Sequence, residues 1–311
     1  MIAVRRYGPS DLPDWDHFVA GAKNGTFLLC RGYMDYHADR FTDHSRMFHD
    51  EERLIAVLPA SSSGDCVTSH AGLTFGGLVT DAHMTATTML AVFDAMRAKL
   101  KQDGIARLVY KPVPHIFHAY PAEEDLYALF RAGASLVQRD LASVLRLEAP
   151  PRWSKGRAYA VKQAEKAGLR VEETRDVATF MELLREVLQE RHNAAPTHTA
   201  AELAHLMGNF PDRIKLYGAF RDGEMLAGAV IYDYGAVVHT QYLANSRQGR
   251  DCGGLDLVVK ALVERFYAGR QLLSFGTSSE DRGRRLNEGL VAQKEMFGAR
   301  AIAFDRYELT L

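Results

Sequence analysis

The chain has 311 residues, of which 47% are apolar and 25% are charged. These values predict an ordered globular protein, and the length is typical of two domains of roughly 150 residues each. Lys and Arg total 38 against 39 Asp and Glu. The whole chain therefore produces no field that would attract a polyanion, and an acidic partner would need a local basic patch.

Cysteine and histidine usage gives no sign of a disulfide framework or a metal site. The three cysteines, Cys30, Cys66 and Cys252, are far apart in the chain, and the twelve histidines are scattered. The first residues lack the apolar segment of a secretory signal, and no apolar run approaches the ~20 residues that span a bilayer. We therefore expect a cytoplasmic protein that holds no metal ion.

Apolar spacing and glycine positions predict the elements of the first half. Helices are predicted over 11–22, 33–41, 87–103 and 122–132. Strands are predicted over 53–59, 105–111 and 141–147, with a glycine-interrupted strand over 65–80. The order is strands, helix, strand, helix, strand.

A proline pair, Pro150-Pro151, divides the sequence. Proline cannot continue a helix or a central strand, so the pair indicates a boundary between domains 1–150 and 151–311. The segment 152–170 holds six Lys or Arg residues and one Glu, and it predicts a short basic helix that ends near Gly168.

The second half repeats the order of elements of the first. A capping box at Thr199 and Glu202 opens one helix, and Asp222-Gly223 predicts a hairpin turn. Further helices are predicted over 177–188, 253–267 and 284–296, and strands over 214–220, 225–232, 237–244, 272–276 and 301–309. The repetition indicates a duplicated α/β fold.

The order of elements is similar to that of GNAT acyltransferases, and a glycine-rich turn occupies the place of their donor loop. In that family, a strand leads into a helix whose first N–H groups meet the pyrophosphate of acyl-CoA, because free N–H groups and the helix dipole attract anions. Arg250-x-x-Gly253 resembles the family signature Q/R-x-x-G-x-G/A, whose last position falls on Leu255. The resemblance implies donor-binding roles for Gly249, Arg250, Gly253 and Gly254. A simple helix cap is the alternative.

A second motif is more specific. Gly289-Leu290-x-x-x-Lys294-x-x-Phe297-Gly298, together with the basic stretch Arg157 to Gly168, resembles the FemAB-like branch of the GNAT superfamily. This resemblance implies an α/β (α+β) fold of two tandem GNAT-like domains, each a mixed, largely antiparallel sheet flanked by helices. The N-terminal domain would lie on the acceptor side and the C-terminal domain on the acyl-donor side.

The resemblance implies an acyltransferase and leaves three hypotheses about its chemistry. Many relatives are thought to transfer an acyl group from acyl-CoA, and this sequence has no room for the long coiled-coil arm associated with tRNA users. An N-acyltransferase is therefore favoured, with acetyl-CoA as co-substrate and an amino group of a small or cell-envelope precursor, such as an amino sugar, as acceptor. The alternatives are a FemAB-type aminoacyltransferase that uses aminoacyl-tRNA, and an inactive GNAT pair that only binds ligands.

Catalytic residues are expected on two elements of the second half. The family motif places Lys294 at the reaction centre, where a fixed cation would stabilise a substrate phosphate or the developing oxyanion. Strand alternation puts His239 and Gln241 on one face of their strand and Tyr242 on the other. A proton acceptor is expected from this strand, and Tyr242 is expected to contact substrate.

Asn287 and Glu288 precede Lys294 and are candidates to orient the acceptor amine. Ordinary structural roles, namely a solvated lysine, a sheet histidine and a surface carboxylate, are the alternative for these residues.

Acceptor-binding residues are expected in the first half, in a groove between the halves. The segment 69–77 is unusually rich in glycine, which places His70 and Thr74 where a backbone closely approaches another group. Asp35 and His37 belong to a segment with aromatic and charged faces, and Lys111 ends a strand. A bulged strand without a ligand is the alternative interpretation.

Overall fold

The computed structural model describes residues 1–149, 152–192 and 194–311, so the predicted boundary at Pro150-Pro151 lies outside the described residues. Ten α-helices lie in this part of the chain. They are α1 (Leu12–Gly21), α2 (Arg31–Met34), α3 (Ala86–Gln102), α4 (Glu124–Arg131), α5 (Lys155–Lys166), α6 (Val177–His192), α7 (Ala200–Asn209), α8 (Arg247–Cys252), α9 (Gly254–Ala261) and α10 (Glu288–Glu295). A π-helical segment, Leu262–Phe266, continues α9.

The described residues form seventeen strands. They are β1 (Ile2–Arg6), β2 (Thr42–Asp43), β3 (Arg46–Asp50), β4 (Arg53–Leu58), β5 (Ser61–Ser63), β6 (Cys66–Thr68), β7 (Val79–Thr80), β8 (Arg107–Tyr110), β9 (Ser135–Arg146), β10 (Arg170–Thr174), β11 (Ile214–Arg221), β12 (Glu224–Asp233), β13 (Val237–Asn245), β14 (Leu272–Thr277), β15 (Ser279–Glu280), β16 (Arg285–Leu286) and β17 (Arg300–Thr310).

The chain divides into two compact units. Unit 1 comprises residues 1–140, 281–284 and 303–311. It contains an antiparallel sheet of order β1-β3-β4-β7 and a run of strands β17-β8-β6-β5-β2, in which β6 and β8 are parallel. Its core packs the apolar face of α3, including Phe93 and Met96, against strand residues such as Phe48 and Leu108. The face forms because apolar residues recur at helical spacing in α3.

Unit 2 comprises residues 141–280 and 285–302. Its strands follow the order β10-β11-β12-β13-β14-β9, and all neighbours are antiparallel except β13 and β14. Helix α9 covers this sheet and contacts α5 and β12. The core of unit 2 includes Leu226, Val258 and Leu273. In each unit a parallel pair is joined through helix, as a parallel crossover requires.

Local sequence signals account for several element ends. The predicted capping box is confirmed, since Thr199 N donates to Glu202 Oε2 at 2.7 Å and Glu202 N donates to Thr199 Oγ1 at 3.1 Å. The predicted hairpin turn is also confirmed, because Asp222 and Gly223 have φ values of 53° and 82° between β11 and β12. Positive φ at both positions matches the twist of an antiparallel hairpin.

Other predicted elements are wrong. The predicted helix over 33–41 is absent, because α2 ends at Met34 and only a 3₁₀ turn, Asp35–His37, follows. Strands β1, β3 and β10 were not expected, since each carries charged residues and lacks a regular apolar alternation. The helix predicted over 253–267 is confirmed, since α9 opens at Gly254 and its π-helical continuation ends at Phe266, but the short helix α8 before it was missed.

The predicted fold class, mixed α/β with largely antiparallel sheets flanked by helices, is confirmed. Within the described ranges, none of the helices combines the length and the apolar character needed to traverse a bilayer. The same residues contain no group of three or more His, Cys, Asp or Glu side chains arranged to hold a metal ion.

Candidate functional site

Two parallel strands diverge in the middle of unit 2. The strands β13 and β14 pair only where Val237, Val238 and His239 face Leu272, Leu273 and Ser274. Beyond these residues β13 continues to Asn245 without pairing with β14, so the carboxyl ends of the strands are free of one another. Polar backbone and side chains at such an opening are available to a ligand.

A β-bulge shapes each side of this opening. On β13, Tyr242 lies opposite Val230 and Thr240 lies opposite Ile231, so Gln241 is the extra residue of the bulge. On β14 the register against β9 shifts between Ser274 and Thr277. Bulges break the ladder and redirect side chains, and they are frequent next to active sites.

Lys294 is buried and its ammonium group is fixed by the bulge of β14. Its Nζ donates to the carbonyl oxygens of Gly276 at 3.0 Å and Thr277 at 2.7 Å, and only 6% of the residue is exposed. Burial lowers the pKa of Lys294 to about 8. An ammonium group has three N–H donors, so one remains after these two hydrogen bonds.

Gly276 is the residue that lets this arrangement form. Its φ is 69°, and a Cβ at this position would lie 3.1 Å from Cε1 of His239. A side chain here would be strained and would press against the imidazole. Glycine therefore allows its carbonyl to meet Lys294 while the ring of His239 packs alongside.

His239 lies beside the lysine as a neutral group. Its Nδ1 is 3.1 Å from the hydroxyl oxygen of Ser274, and the residue is partly exposed. Burial, and then the charge of Lys294, lowers the pKa of His239 to about 4. The structure thus brings the two predicted residues Lys294 and His239 together, although they are far apart in sequence. A charged donor beside a neutral imidazole suits stabilisation of a developing oxyanion.

The other predicted residues of unit 2 have structural partners. Asn287 caps α10 by accepting from Leu290 N at 3.0 Å, and it donates to Glu280 Oε1 at 2.8 Å. Glu288 is the exposed first residue of α10. The hydroxyl of Tyr242 contacts His198 Nδ1 at 2.5 Å. The predicted placement of Tyr242 and His239 on opposite faces of β13 is wrong, because the bulge at Gln241 shifts the alternation and pairs the two residues with Val230 and Tyr232, which share a face of β12. Catalytic roles for these residues stay predictions.

The glycine-rich turn after β13 is tightly packed. A Cβ at Gly249 would lie 2.3 Å from the carbonyl oxygen of Leu226, and one at Gly253 would lie 2.2 Å from that of Ala160. Gly253 has a φ of 80°, and Gly254 opens α9. Close packing thus accounts for the glycines, and their predicted contact with a donor is not tested by the structure.

The start of α8 is organised by side chains. Ser246 Oγ accepts from Gly249 N at 2.9 Å, which satisfies one N–H of the first turn. Arg250 is partly buried and donates to the carbonyl of Asn245 at 3.0 Å. α8 begins at Arg247 and α9 begins at Gly254, so each of the two helices has the positive end of its dipole at its own first turn.

In unit 1, three predicted residues come together, namely the buried lysine Lys111, His70 and His37. Lys111 Nζ donates to the carbonyl oxygens of His70, at 2.7 Å, and Leu73. His70 has a φ of 53°, and its ring stacks on that of His37 with the centroids 5.2 Å apart. Burial, reinforced by Arg306, lowers the pKa of Lys111 to about 7. Burial, and then His37 and Lys111, lowers the pKa of His70 to about 3.

The two remaining residues of this group are placed differently. Asp35 forms an ion pair with Arg31 at 2.5 Å, and Arg31 also pairs with Asp43. Thr74 is exposed. The segment 69–77 is therefore a loop that Lys111 holds in place, and acceptor binding by these residues stays a prediction.

Sequence reasoning missed Ser274 and Gly276. Both lie in the short strand β14, and nothing in the segment 272–277 marks a serine or a glycine as functional. Their contribution depends on the bulge and on the parallel partner strand, which sequence spacing does not reveal.

Comparison with known proteins identifies the architecture. Residues 155–282 match the family model described as an acetyltransferase (GNAT) domain, a range that includes α5 to α9 and β10 to β14. The matched segment is a GNAT-type domain, and the chain shares its fold with FemX and with a tandem GNAT protein. The predicted resemblance is confirmed.

Solved structures extend the likeness to nearly the whole chain. FemX has a TM-score of 0.72 at 13% identity, covering 99% of this chain and 97% of that chain. The C-terminal domain of a putative lysylphosphatidylglycerol synthetase from Agrobacterium fabrum has a TM-score of 0.61 at 12% identity, with 96% and 91% covered.

A tandem GNAT protein from the clavulanic acid biosynthesis pathway has a TM-score of 0.53 at 13% identity, covering 100% of this chain and 98% of that chain. Identities this low show a common fold. No curated protein matches the sequence significantly. Within the matched range, β13 leads directly into α8.

Proposed function

We propose that the protein is an N-acyltransferase whose reaction centre lies between the diverging ends of β13 and β14. One observation carries the proposal: the ammonium of Lys294 is buried and fixed on two backbone carbonyls, and one of the two residues, Gly276, also packs against the neutral ring of His239. Donors held rigidly in a site of low polarity stabilise an oxyanion without reorganising during the reaction. The GNAT domain match supports acyl transfer as the reaction.

The proposed reaction is a direct attack in a ternary complex. The free amine of the acceptor attacks the thioester carbonyl of acyl-CoA, and the carbonyl electrons move to oxygen. The remaining N–H of Lys294 donates to that oxygen. Collapse of the tetrahedral species forms the amide and breaks the carbon–sulfur bond, and the amine proton leaves with the thiol or to water. No covalent enzyme intermediate forms.

Acetyl-CoA is the simplest donor for such a reaction. Its pyrophosphate would lie at the first turn of α8, where the helix dipole and the side chain of Arg250 are positive. Gly249, Gly253 and Gly254 would serve this binding indirectly, by letting the turn pack closely. Gln241, at the bulge of β13, would contact the acyl group or the amine.

The acceptor is proposed to be an amine on a small or cell-envelope precursor such as an amino sugar. Asn287, Glu288 and Tyr242 are candidates to orient it in unit 2. In unit 1 the candidates are His37, His70, Thr74, Asp35 and Lys111, of which the two histidines are buried and have lowered pKa values. Neutral imidazoles hydrogen-bond hydroxyl groups without adding charge.

An aminoacyl-tRNA donor is a second candidate, and one surface favours it. Lys155, Tyr159, Lys162 and Lys166 recur at helical spacing on α5 and are all exposed, with Tyr159 63% exposed. Within the described residues, none of these three lysines forms an ion pair. Cations beside an exposed ring suit a phosphate backbone with stacked bases. The FemX likeness is compatible with this donor.

Calorimetry separates the donors. We expect micromolar binding of acetyl-CoA, followed by release of CoA when an amino-sugar acceptor is added. Absence of binding to acetyl-CoA, CoA and longer acyl-CoA would contradict the proposal. Binding without turnover across an acceptor panel would support the ligand-binding hypothesis instead.

A triple substitution on α5 tests the aminoacyl-tRNA donor. Replacing Lys155, Lys162 and Lys166 by Gln together should weaken tRNA binding. It should also reduce the slope of the logarithm of the binding constant against the logarithm of the salt concentration by roughly two. Lys101→Gln, on the exposed end of α3 in unit 1, is the matched control. Equal affinities for the triple variant and the control would exclude this surface as an RNA site.

A further inference from the structure

Ser274 is a fully buried polar residue directly opposite His239. The two residues are partners in the short parallel pairing of β13 and β14, and none of the surface of Ser274 is exposed. Its backbone carbonyl accepts from Thr240 Oγ1 at 3.4 Å. The serine is therefore fixed by the same three-residue pairing that sets the position of the imidazole.

The hydrogen bonds of the Ser274 hydroxyl determine its direction. Its oxygen accepts from Gly276 N at 3.3 Å and lies 3.1 Å from Nδ1 of His239. A hydroxyl has one hydrogen, and among the described residues His239 Nδ1 is the acceptor within reach of it. If Nδ1 carried a proton instead, the buried hydroxyl hydrogen would have no acceptor, which folded proteins avoid.

We infer that Ser274 donates to Nδ1 of His239 and so holds the imidazole as the Nε2–H tautomer, which makes His239 a hydrogen-bond donor to the reacting carbonyl and not a general base. Protonation of one ring nitrogen is set by the hydrogen bond that the other makes. Within the described residues Nε2 has no hydrogen-bond partner, so its N–H is available to a ligand in the opening.

This inference rests on the proposed function and refines its chemistry. His239 and the third N–H of Lys294 would both donate to the oxygen that gains charge as the amine attacks the acyl carbon. The low pKa of His239 agrees with this assignment, because the ring stays neutral through the physiological range. The proton released by the amine then passes to the departing thiolate or to water. Ser274 is a positioning residue, since it acts through His239.

Two substitutions at position 239 distinguish a donor from a base. The amide nitrogen of Gln reaches about the position of imidazole Nε2 and can donate, but it cannot accept a proton as a base. We expect His239→Ala to lower kcat by about 10²-fold, the effect of losing one oxyanion donor, and His239→Gln to stay within about tenfold of the wild type. Equal losses for both variants would overturn the inference.

Nuclear magnetic resonance gives a readout that does not depend on turnover. In protein labelled with ¹⁵N-histidine, the His239 signals are identified by their loss in His239→Gln. In the wild type we expect the ring proton of His239 to be bonded to Nε2. In Ser274→Ala we expect a mixture of the Nδ1–H and Nε2–H tautomers. Ser274→Thr keeps the hydroxyl and should retain the Nε2–H form.

A proton on Nδ1 in the wild type would overturn the inference even if the enzyme is active. Conversely, an Nε2–H signal in a protein that releases no CoA from any acyl donor would uphold the tautomer and contradict the proposed function. The two failures are therefore distinguishable.

Discussion

At the scale of single residues, Lys294 combines burial with an incomplete set of hydrogen bonds. Its ammonium group donates to Gly276 and Thr277, whose carbonyls a bulge turns toward it. The folded-state pKa of about 8 lies below the reference value of 10.5. The charged lysine therefore costs stability below about pH 8, and this cost disappears as the pH rises toward 10.5.

The lowered pKa predicts a pH dependence of turnover. Lys294 is protonated below about pH 8 and loses its charge above it, so kcat at saturating substrates should fall about tenfold per unit at higher pH. Deprotonation of the acceptor amine acts in the opposite direction and cannot produce this fall. The profile is measured from about pH 6 to 10. A rate that keeps rising through pH 9 would show that the charge of Lys294 is not used.

The candidate site could be predicted from the sequence only in part. Lys294 follows from a motif, and His239 follows from strand alternation before the glycine-rich turn. Their contact depends on a bulge and a positive φ at Gly276, which no local pattern marks. Ser274 escapes prediction for the same reason, because its role comes from its partner across a parallel strand pair.

At the scale of secondary-structure elements, Gly253 joins α8 to α9 under a close contact. Replacing it by Ala adds a Cβ 2.2 Å from Ala160 O at a φ of 80°. Gly168 has a φ of 78°, and a Cβ added there would meet no atom within 4 Å. Gly168→Ala is therefore a control that introduces the strain of a positive φ without a steric clash. We expect Gly253→Ala to lose about 2 kcal/mol more than this control, through the overpacked contact. Urea unfolding measures both.

Equal losses in the two glycine variants would mean that the backbone around Ala160 yields without cost. The contact would then not constrain the position of α5 against this turn.

A partly buried ion pair links α5 to α9. Arg157 donates to Asp256 at 2.9 Å and lies over the ring of Phe297, 4.4 Å from its centroid. Asp256 has only 7% of its side chain exposed, so Arg157→Met should destabilise the protein by about 2 kcal/mol by leaving this carboxylate unpaired. Adding Asp256→Asn should restore part of the loss. Additive effects in the double variant would show that the pair is not coupled.

Local patterns predict elements well where one face is apolar. Helix α3 lies within one residue of its predicted bounds, since five apolar side chains recur at helical spacing and Gly104 follows it. The strand β10, with sequence RVEET, has no such pattern and is set by pairing with β11. The short α2 ends at Met34, and the ring of His37 just beyond it stacks on His70, a tertiary contact that helical spacing does not reveal.

At the scale of the whole molecule, the fold is shared far more widely than the sequence. FemX matches 99% of the chain with a TM-score of 0.72 at only 13% identity, so the fold is shared while most residues differ. The near-neutral net charge of −1 confines any polyanion site to a local surface, and the exposed lysines of α5 are the candidate for such a surface. The shared fold therefore does not identify the acyl donor. Experiments on the reaction centre and on ligand binding are needed to identify it.

The most direct test of acyl transfer at this centre is the rate of CoA release from acetyl-CoA with amine acceptors, compared between the wild type and Lys294→Met. Loss of the fixed cation should lower kcat by about 10²- to 10³-fold, while Lys101→Met, at an exposed lysine on α3, should leave it unchanged. Wild-type turnover in Lys294→Met, with the fold intact by circular dichroism, would contradict the assignment of the reaction centre to β13, β14 and α10.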